Sequence, residues 1–175
     1  MTFQVNVVAP YIVNCKLLPL LKKTRASRVI NVSSISQGGS ILDPAYFPFP
    51  FPSTLPNERN RFDNHGAYSH SKLCIAALSH EIAQRITPED ALVLSCDPGT
   101  VNTKMLLSGW GRCGIEVEDA TDEFTLATSK FDPSSHGNYY NNCRISRCSR
   151  DVYDAKARDQ LWTRLEELTG IRFIA

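Results

Sequence analysis

Between Phe3 and Lys23 the apolar residues Val7, Ile12, Leu17, Leu18 and Leu21 recur at helical spacing, which predicts a helix over 3–23. Pro10 removes a backbone donor within it and favours a kink, and Lys22 and Lys23 suit the negative end of its dipole. The pattern then changes. Arg28 to Ser33 carries Val29, Ile30 and Val32 with little alternation, as expected of a strand in a parallel sheet covered on both faces. Helical spacing returns from Gly66 to Ile86 through Leu73, Ala76, Ala77, Leu78, Ile82 and Ile86, and Pro88 ends that helix. Ala91 to Cys96 reads as a second buried strand. Short helices are expected at Met105–Leu107 and over 120–129, and a last short strand over 138–142. An amphipathic helix follows over 152–168, with Leu161, Leu165 and Leu168 on one side and Gly170 as its C-cap. Strands alternating with helices give an α/β fold, a partial doubly wound parallel sheet of about three strands.

One segment breaks the alternation. Residues 35–65 form a long insertion in which five of the ten prolines lie between Pro44 and Pro56, interleaved with Tyr46, Phe47, Phe49 and Phe51. Alternating Pro and Phe suits neither a regular helix nor a central strand. These aromatics could line an apolar pocket, cover a sheet edge or bind another chain.

The length fits one domain, long enough to bury about two thirds of its unfolded surface. A net charge of +1 gives no reason to expect attraction to nucleic acid or to an anionic membrane. No uninterrupted apolar run reaches the ~20 residues of a membrane span, and no charged-then-apolar leader is visible. The six cysteines are scattered, and Cys143 and Cys148 lack the pairing of a structural zinc site, so no metal is expected. A reducing, cytoplasmic setting is the simpler expectation.

The candidate chemistry begins at Tyr68 and Lys72. Four apart on a helix, they share a face. A fixed ammonium beside a phenol favours the phenolate, which suits proton exchange with an alcohol or carbonyl. Ser33 and Ser34 close the first strand at its carboxyl end, where open α/β sheets place ligands; a pair of turn serines would read the same way. Asp97-Pro98-Gly99 breaks the chain sharply after the second strand. Asn6 reads equally as a capping or core asparagine or as a site residue. The run Gly109-Trp110-Gly111-Arg112-Cys113-Gly114 has the letters of a dinucleotide fingerprint. It lacks the preceding strand and stands before the acidic Glu116-Val117-Glu118-Asp119, so a substrate-side lid is the expectation there. The four histidines show no convergent spacing.

Taken in order, Asn6, Arg28–Ser34, Tyr68-x-x-x-Lys72 and Cys96-Asp97-Pro98-Gly99-Thr100-Val101-Asn102-Thr103 resemble the short-chain dehydrogenase/reductase family. Gly137–Cys143 and Leu161-Trp162 resemble its retinol-dehydrogenase-like and WW-domain-oxidoreductase-like branch. The resemblance implies a catalytic set of Asn6, Ser34, Tyr68 and Lys72. It implies NAD or NADP as cofactor, held by Tyr68, Lys72, Pro98, Gly99, Val101 and Thr103. It also implies an apolar alcohol or carbonyl as substrate (a retinoid, steroid or lipid-like compound) and a homo-oligomer built through the helices at 3–23 and 66–86. Residues 1–175 correspond to the carboxyl-terminal portion of that family's single domain. The glycine-rich half that binds pyrophosphate would precede Met1, so this chain alone is expected to turn over no substrate, and the outer edge of its first strand would be bare. The other expectation is a noncatalytic fragment acting as an interaction or oligomerisation module.

Overall fold

The computed structural model describes residues 1–42 and 64–173. The aromatic-rich part of the insertion therefore lies outside the described residues. The first helix comes in two pieces, a π-helical turn Gln4–Val8 and α1, Ala9–Leu21. Pro10 sits in the first turn of α1, where a missing N–H costs least. The remaining elements are β1 (Arg28–Val32), α2 (Asn64–Arg85), β2 (Leu92–Asp97), α3 (Lys104–Trp110), α4 (Asp122–Thr128), β3 (Tyr139–Asn141), β4 (Arg144–Ser146) and α5 (Ala155–Thr169). Short 3-10 turns lie at Ile35–Gly39, directly after β1, and at Arg150–Tyr153, before α5.

The sheet has four strands in the order β1-β2-β3-β4. β1, β2 and β3 run parallel, and β4 returns antiparallel to β3. β2 is buried along its whole length, as its apolar run requires. β1 is not: four of its residues are half-buried and Val32 is 40% exposed. β1 is the edge strand among the described residues, paired only with β2, and its side chains are therefore less buried than those of β2.

Alternate residues of β2 serve two cores. Val93 packs with α1, α2 and α5 in the larger cluster, around Tyr11, Leu73, Leu78, Ile82, Leu161 and Trp162. Leu92, Leu94 and Cys96 pack on the other face with Leu126 of α4 and Tyr140. Tyr11, Trp162 and Phe173 meet edge to face, with centroids 5.4 and 5.1 Å apart. Glu81 of α2 ties the helices together. One carboxylate oxygen accepts from Arg158 of α5 at 2.8 Å and the other from Arg85 at 3.0 Å, while Arg85 lies over the Trp162 ring. The Arg28 guanidinium crosses from β1 to donate to the carbonyls of Leu126, Ala127 and Ser129, closing the carboxyl end of α4.

Two expectations change. The helical stretch Gln4–Leu21 is long and apolar enough, by length and composition, to cross a membrane. Counting unbroken runs missed it because Asn6, Asn14 and Lys16 interrupt the run without lowering the average below that of a span. In α2, twelve residues are buried, and α5 and the Arg150–Tyr153 turn pack against it. Of the two helices expected to build an oligomer, only the first keeps a long exposed apolar face.

Candidate active site

The carboxyl ends of β1 and β2 lie side by side, with Val32 opposite Cys96 in the register. Just beyond them, Ser33 and Ser34 take different tasks. The Ser33 hydroxyl donates to the Lys72 carbonyl at 2.6 Å, and its N–H donates to the Cys96 carbonyl at 2.7 Å, so Ser33 fastens α2 and β2 to the end of β1. Ser34 caps the following 3-10 turn, accepting from the Ser36 N–H and donating to the Ser36 hydroxyl, both at 3.2 Å.

Lys72 reaches the same spot from α2. Its ammonium donates to the Val32 carbonyl at 3.0 Å, two residues before Ser34. It lies 5.6 Å from the centre of the Tyr68 ring, one helical turn back. Burial holds the Lys72 amine below the usual lysine range, and the Cys96 and Asp97 side chains oppose that shift only in part. An ammonium has three donors, so the bond to Val32 leaves two for other groups.

Asn6 stands one step further out. Its amide donates to the Ser71 hydroxyl at 3.0 Å, and Ser71 donates to the Tyr68 carbonyl at 2.7 Å. The π-helical turn thus grips α2 at the turn carrying Tyr68 and Lys72. In an α-helix the carbonyl of Asn6 would accept from residue 10, but that residue is Pro10 and has no N–H to give.

The loop after β2 supplies the other wall. Gly99 has φ 77°, and a Cβ built there meets nothing within 4 Å, so the turn is open on that side. Val101 bridges Ile115. Thr103 caps α3, its hydroxyl oxygen accepting from the Leu106 N–H at 3.3 Å, which leaves its O–H donor unused by the cap. The glycine run at 109–114 is not a phosphate cradle. Gly109 lies within α3, Gly111 ends that helix, and Gly114 packs so closely on the loop that a Cβ would stand 2.3 Å from the Thr100 carbonyl oxygen.

Two residues here were overlooked in the sequence. Asn102 is buried and holds the loop in place. Its amide donates to the Gly114 carbonyl at 2.8 Å and to Glu116 at 2.7 Å, and its carbonyl oxygen accepts from the Gly114 N–H at 2.9 Å. The signal was present, since in an extended loop Val101 and Thr103 facing one way send Asn102 the other. Asp97 is buried at the end of β2 and accepts from the Ile35 N–H at 3.0 Å, bracing the backbone next to Ser34.

The structure thus gathers Ser34, Tyr68 and Lys72 around the ends of β1 and β2, with Pro98 and Gly99 beside them. Asn6 is joined to Tyr68 through Ser71.

No protein-family model matches the chain. Retinol dehydrogenase 12 of Homo sapiens is 28% identical over 97% of this chain and 54% of its own length. Dehydrogenase/reductase SDR family member 13 of Bos taurus is 25% identical over 96% of this chain and 46% of its own length. The chain therefore spans about half the length of the curated relatives it matches. Among solved structures, an uncharacterized protein from Mycobacterium paratuberculosis superposes with a TM-score of 0.70 at 21% identity, covering 99% of this chain and 60% of the other. The carbonyl reductase Sniffer of D. melanogaster gives 0.56 at 22% identity, covering 79% of this chain and 52% of the other. The structural matches share the fold, a partial Rossmann-like sheet. In sequence the chain is similar to retinol dehydrogenases and to a further member of the short-chain dehydrogenase/reductase family.

Proposed function

We propose that the ends of β1 and β2 form the nicotinamide end of a dehydrogenase site that interconverts an apolar alcohol and its carbonyl. The observation that carries this reading is the position of the Lys72 ammonium, fixed on the Val32 carbonyl at the end of β1 and 5.6 Å from the centre of the Tyr68 ring. Ser34 turns its hydroxyl proton away from Ser36 and donates it in a hydrogen bond to the substrate oxygen. Tyr68 gives that oxygen its proton in reduction and takes it back in oxidation. Lys72 favours the ionised phenol and offers its spare donors to a ribose. Asn6 holds a water that passes protons toward Lys72.

The residues present fit the nicotinamide end of NAD or NADP. The open turn at Pro98–Gly99, the backbone of Val101 and the Thr103 hydroxyl suit a carboxamide, and Lys72 suits the adjoining ribose. Such a cofactor supplies the hydride when bound. Among the described residues no glycine-rich turn joins a strand to a helix in the way a pyrophosphate requires. An apolar substrate is favoured by α3, which buries none of its residues and exposes Met105, Leu107 and Trp110. The names of the retinol dehydrogenases point to the same substrate class. A module made only for binding gives no account of a half-buried lysine beside a tyrosine at the strand ends.

The test uses this chain and the half of the cofactor it would hold. On titration with reduced nicotinamide mononucleotide, amide resonances of Lys72 and of residues 98–103 are expected to shift, with weak affinity. Shifts confined to other parts of the chain, or none at saturating ligand, would remove the site.

A further inference from the structure

Asp97 is the only buried Asp or Glu among the described residues. It ends β2, and the hydrogen bond it accepts there comes from the Ile35 N–H at 3.0 Å. It forms no ion pair among those residues. Bracing a loop needs an acceptor but no charge. An asparagine or a serine would hold Ile35 without the cost of taking a carboxylate out of water. The charge kept at this position asks for another reason.

The corner it occupies supplies one. Val32 stands opposite Cys96 in the register, and Asp97 follows Cys96. The Lys72 ammonium is held on the Val32 carbonyl at 3.0 Å, and Asp97 takes the N–H of Ile35, three residues further on. Both charges are thus anchored to the same end of β1 without direct contact. Burial favours the neutral amine at Lys72, and Cys96 and Asp97 act in the opposite direction. Of these two, only Asp97 bears a charge near neutral pH, because burial pushes the Cys96 thiol up to about 12. Tyr139, which faces Asp97 from β3, is likewise kept neutral by burial. From its own helix Lys72 is faced by Tyr68.

We propose that Asp97 is the counter-charge that keeps the Lys72 amine protonated at the strand ends, acting across the gap between them and not as a salt bridge. Its consequence for the reaction rests on the function proposed for Lys72 above. Only the ammonium favours the ionised phenol of Tyr68 and has donors to spare for a ribose. Asp97 is therefore a positioning residue that works through Lys72. An amine deprived of a nearby negative charge gives up its proton more readily, so a neutral side chain at position 97 moves the Lys72 titration to lower pH.

The test follows the Lys72 side-chain resonance against pH in the chain labelled at lysine, assigned by its loss in Lys72→Arg. Asp97→Asn keeps an oxygen for the Ile35 N–H and removes the charge. It is expected to shift the Lys72 midpoint to lower pH while the other lysines keep theirs. Asp97→Glu, which restores a carboxylate, should bring the midpoint back toward that of the parent. Glu167→Gln removes an exposed carboxylate on α5 and should leave it unchanged. A role confined to bracing the loop gives Asp97→Asn the parent's midpoint, and that result would overturn the proposal. An equal shift in Glu167→Gln would do the same. Asp97→Ser, a second neutral variant, carries the same test if the asparagine variant does not fold. A midpoint that moves while reduced nicotinamide mononucleotide leaves residues 98–103 unshifted supports the counter-charge and removes the dehydrogenase site, so the two fail separately.

Discussion

Replacing Tyr68 with phenylalanine is expected to cut turnover roughly a thousandfold, a loss of about 4 kcal/mol of transition-state stabilisation, while leaving cofactor affinity nearly unchanged. The assay needs a complete cofactor site. The chain is therefore joined at its amino end to the glycine-rich half of a retinol-dehydrogenase relative and followed by absorbance of the reduced nicotinamide. The substitution removes one oxygen from a half-exposed side chain whose ring remains 5.6 Å from the Lys72 ammonium. Ser33, Ser71 and Asp97 grip their partners independently of the phenol, so the backbone around the site has no reason to move. A joined polypeptide that loses cofactor binding together with turnover would assign Tyr68 to binding and not to proton transfer.

The second large effect concerns stability. Arg158→Ala is expected to destabilise the fold by about 3 kcal/mol, because it removes one partner of a buried ion pair and leaves the other in place. Arg158 is buried, and its loss also strips the Val152 carbonyl of a donor at 2.9 Å. Glu81 keeps Arg85, which limits the damage. Pairing Arg158→Ala with Glu81→Ala should recover part of the loss, since the carboxylate left short of a partner is then gone as well. Urea denaturation of the two single variants and the double variant measures this, and fully additive losses would mean that the pair is not coupled.

The parts of the fold legible in the sequence were those whose burial imposed a long pattern. α2 and β2 lie in the middle of the structure, and their apolar positions repeat without interruption, so both type and bounds could be read. Gly170 announced the end of α5 and adopts a left-handed conformation there, φ 64°. The hairpin of β3 and β4 was only half legible. β4 has three residues and no apolar pattern, but the loop that makes it, Asn142-Cys143, has φ 49° and 54°, a turn for which asparagine is a recognised signal. The π-helical turn at Gln4–Val8 could not be read as such. Pro10 pointed to a disturbance, whereas the form it takes depends on Asn6 reaching Ser71 across to α2.

The site followed the same division. Tyr68 and Lys72 were readable because one helical turn separates them, and local geometry alone puts them on one face. Ser34 needed the parallel sheet to bring its strand end to them. Asp97 and Asn102 escaped notice because their partners, Ile35 and Gly114, come from segments that only the tertiary fold brings near.

Whether these groups form a hydride-transfer site is measured most directly with an isotope. The joined polypeptide is supplied with an apolar aldehyde and with nicotinamide cofactor deuterated at the ring carbon that yields the hydride, on one face at a time, and the product alcohol is weighed by mass spectrometry. One deuterium on the carbinol carbon, from one face of the ring only, and none when Tyr68 is phenylalanine, is the result this account predicts. Alcohol formed without deuterium from either face, or formed equally well without Tyr68, would contradict it.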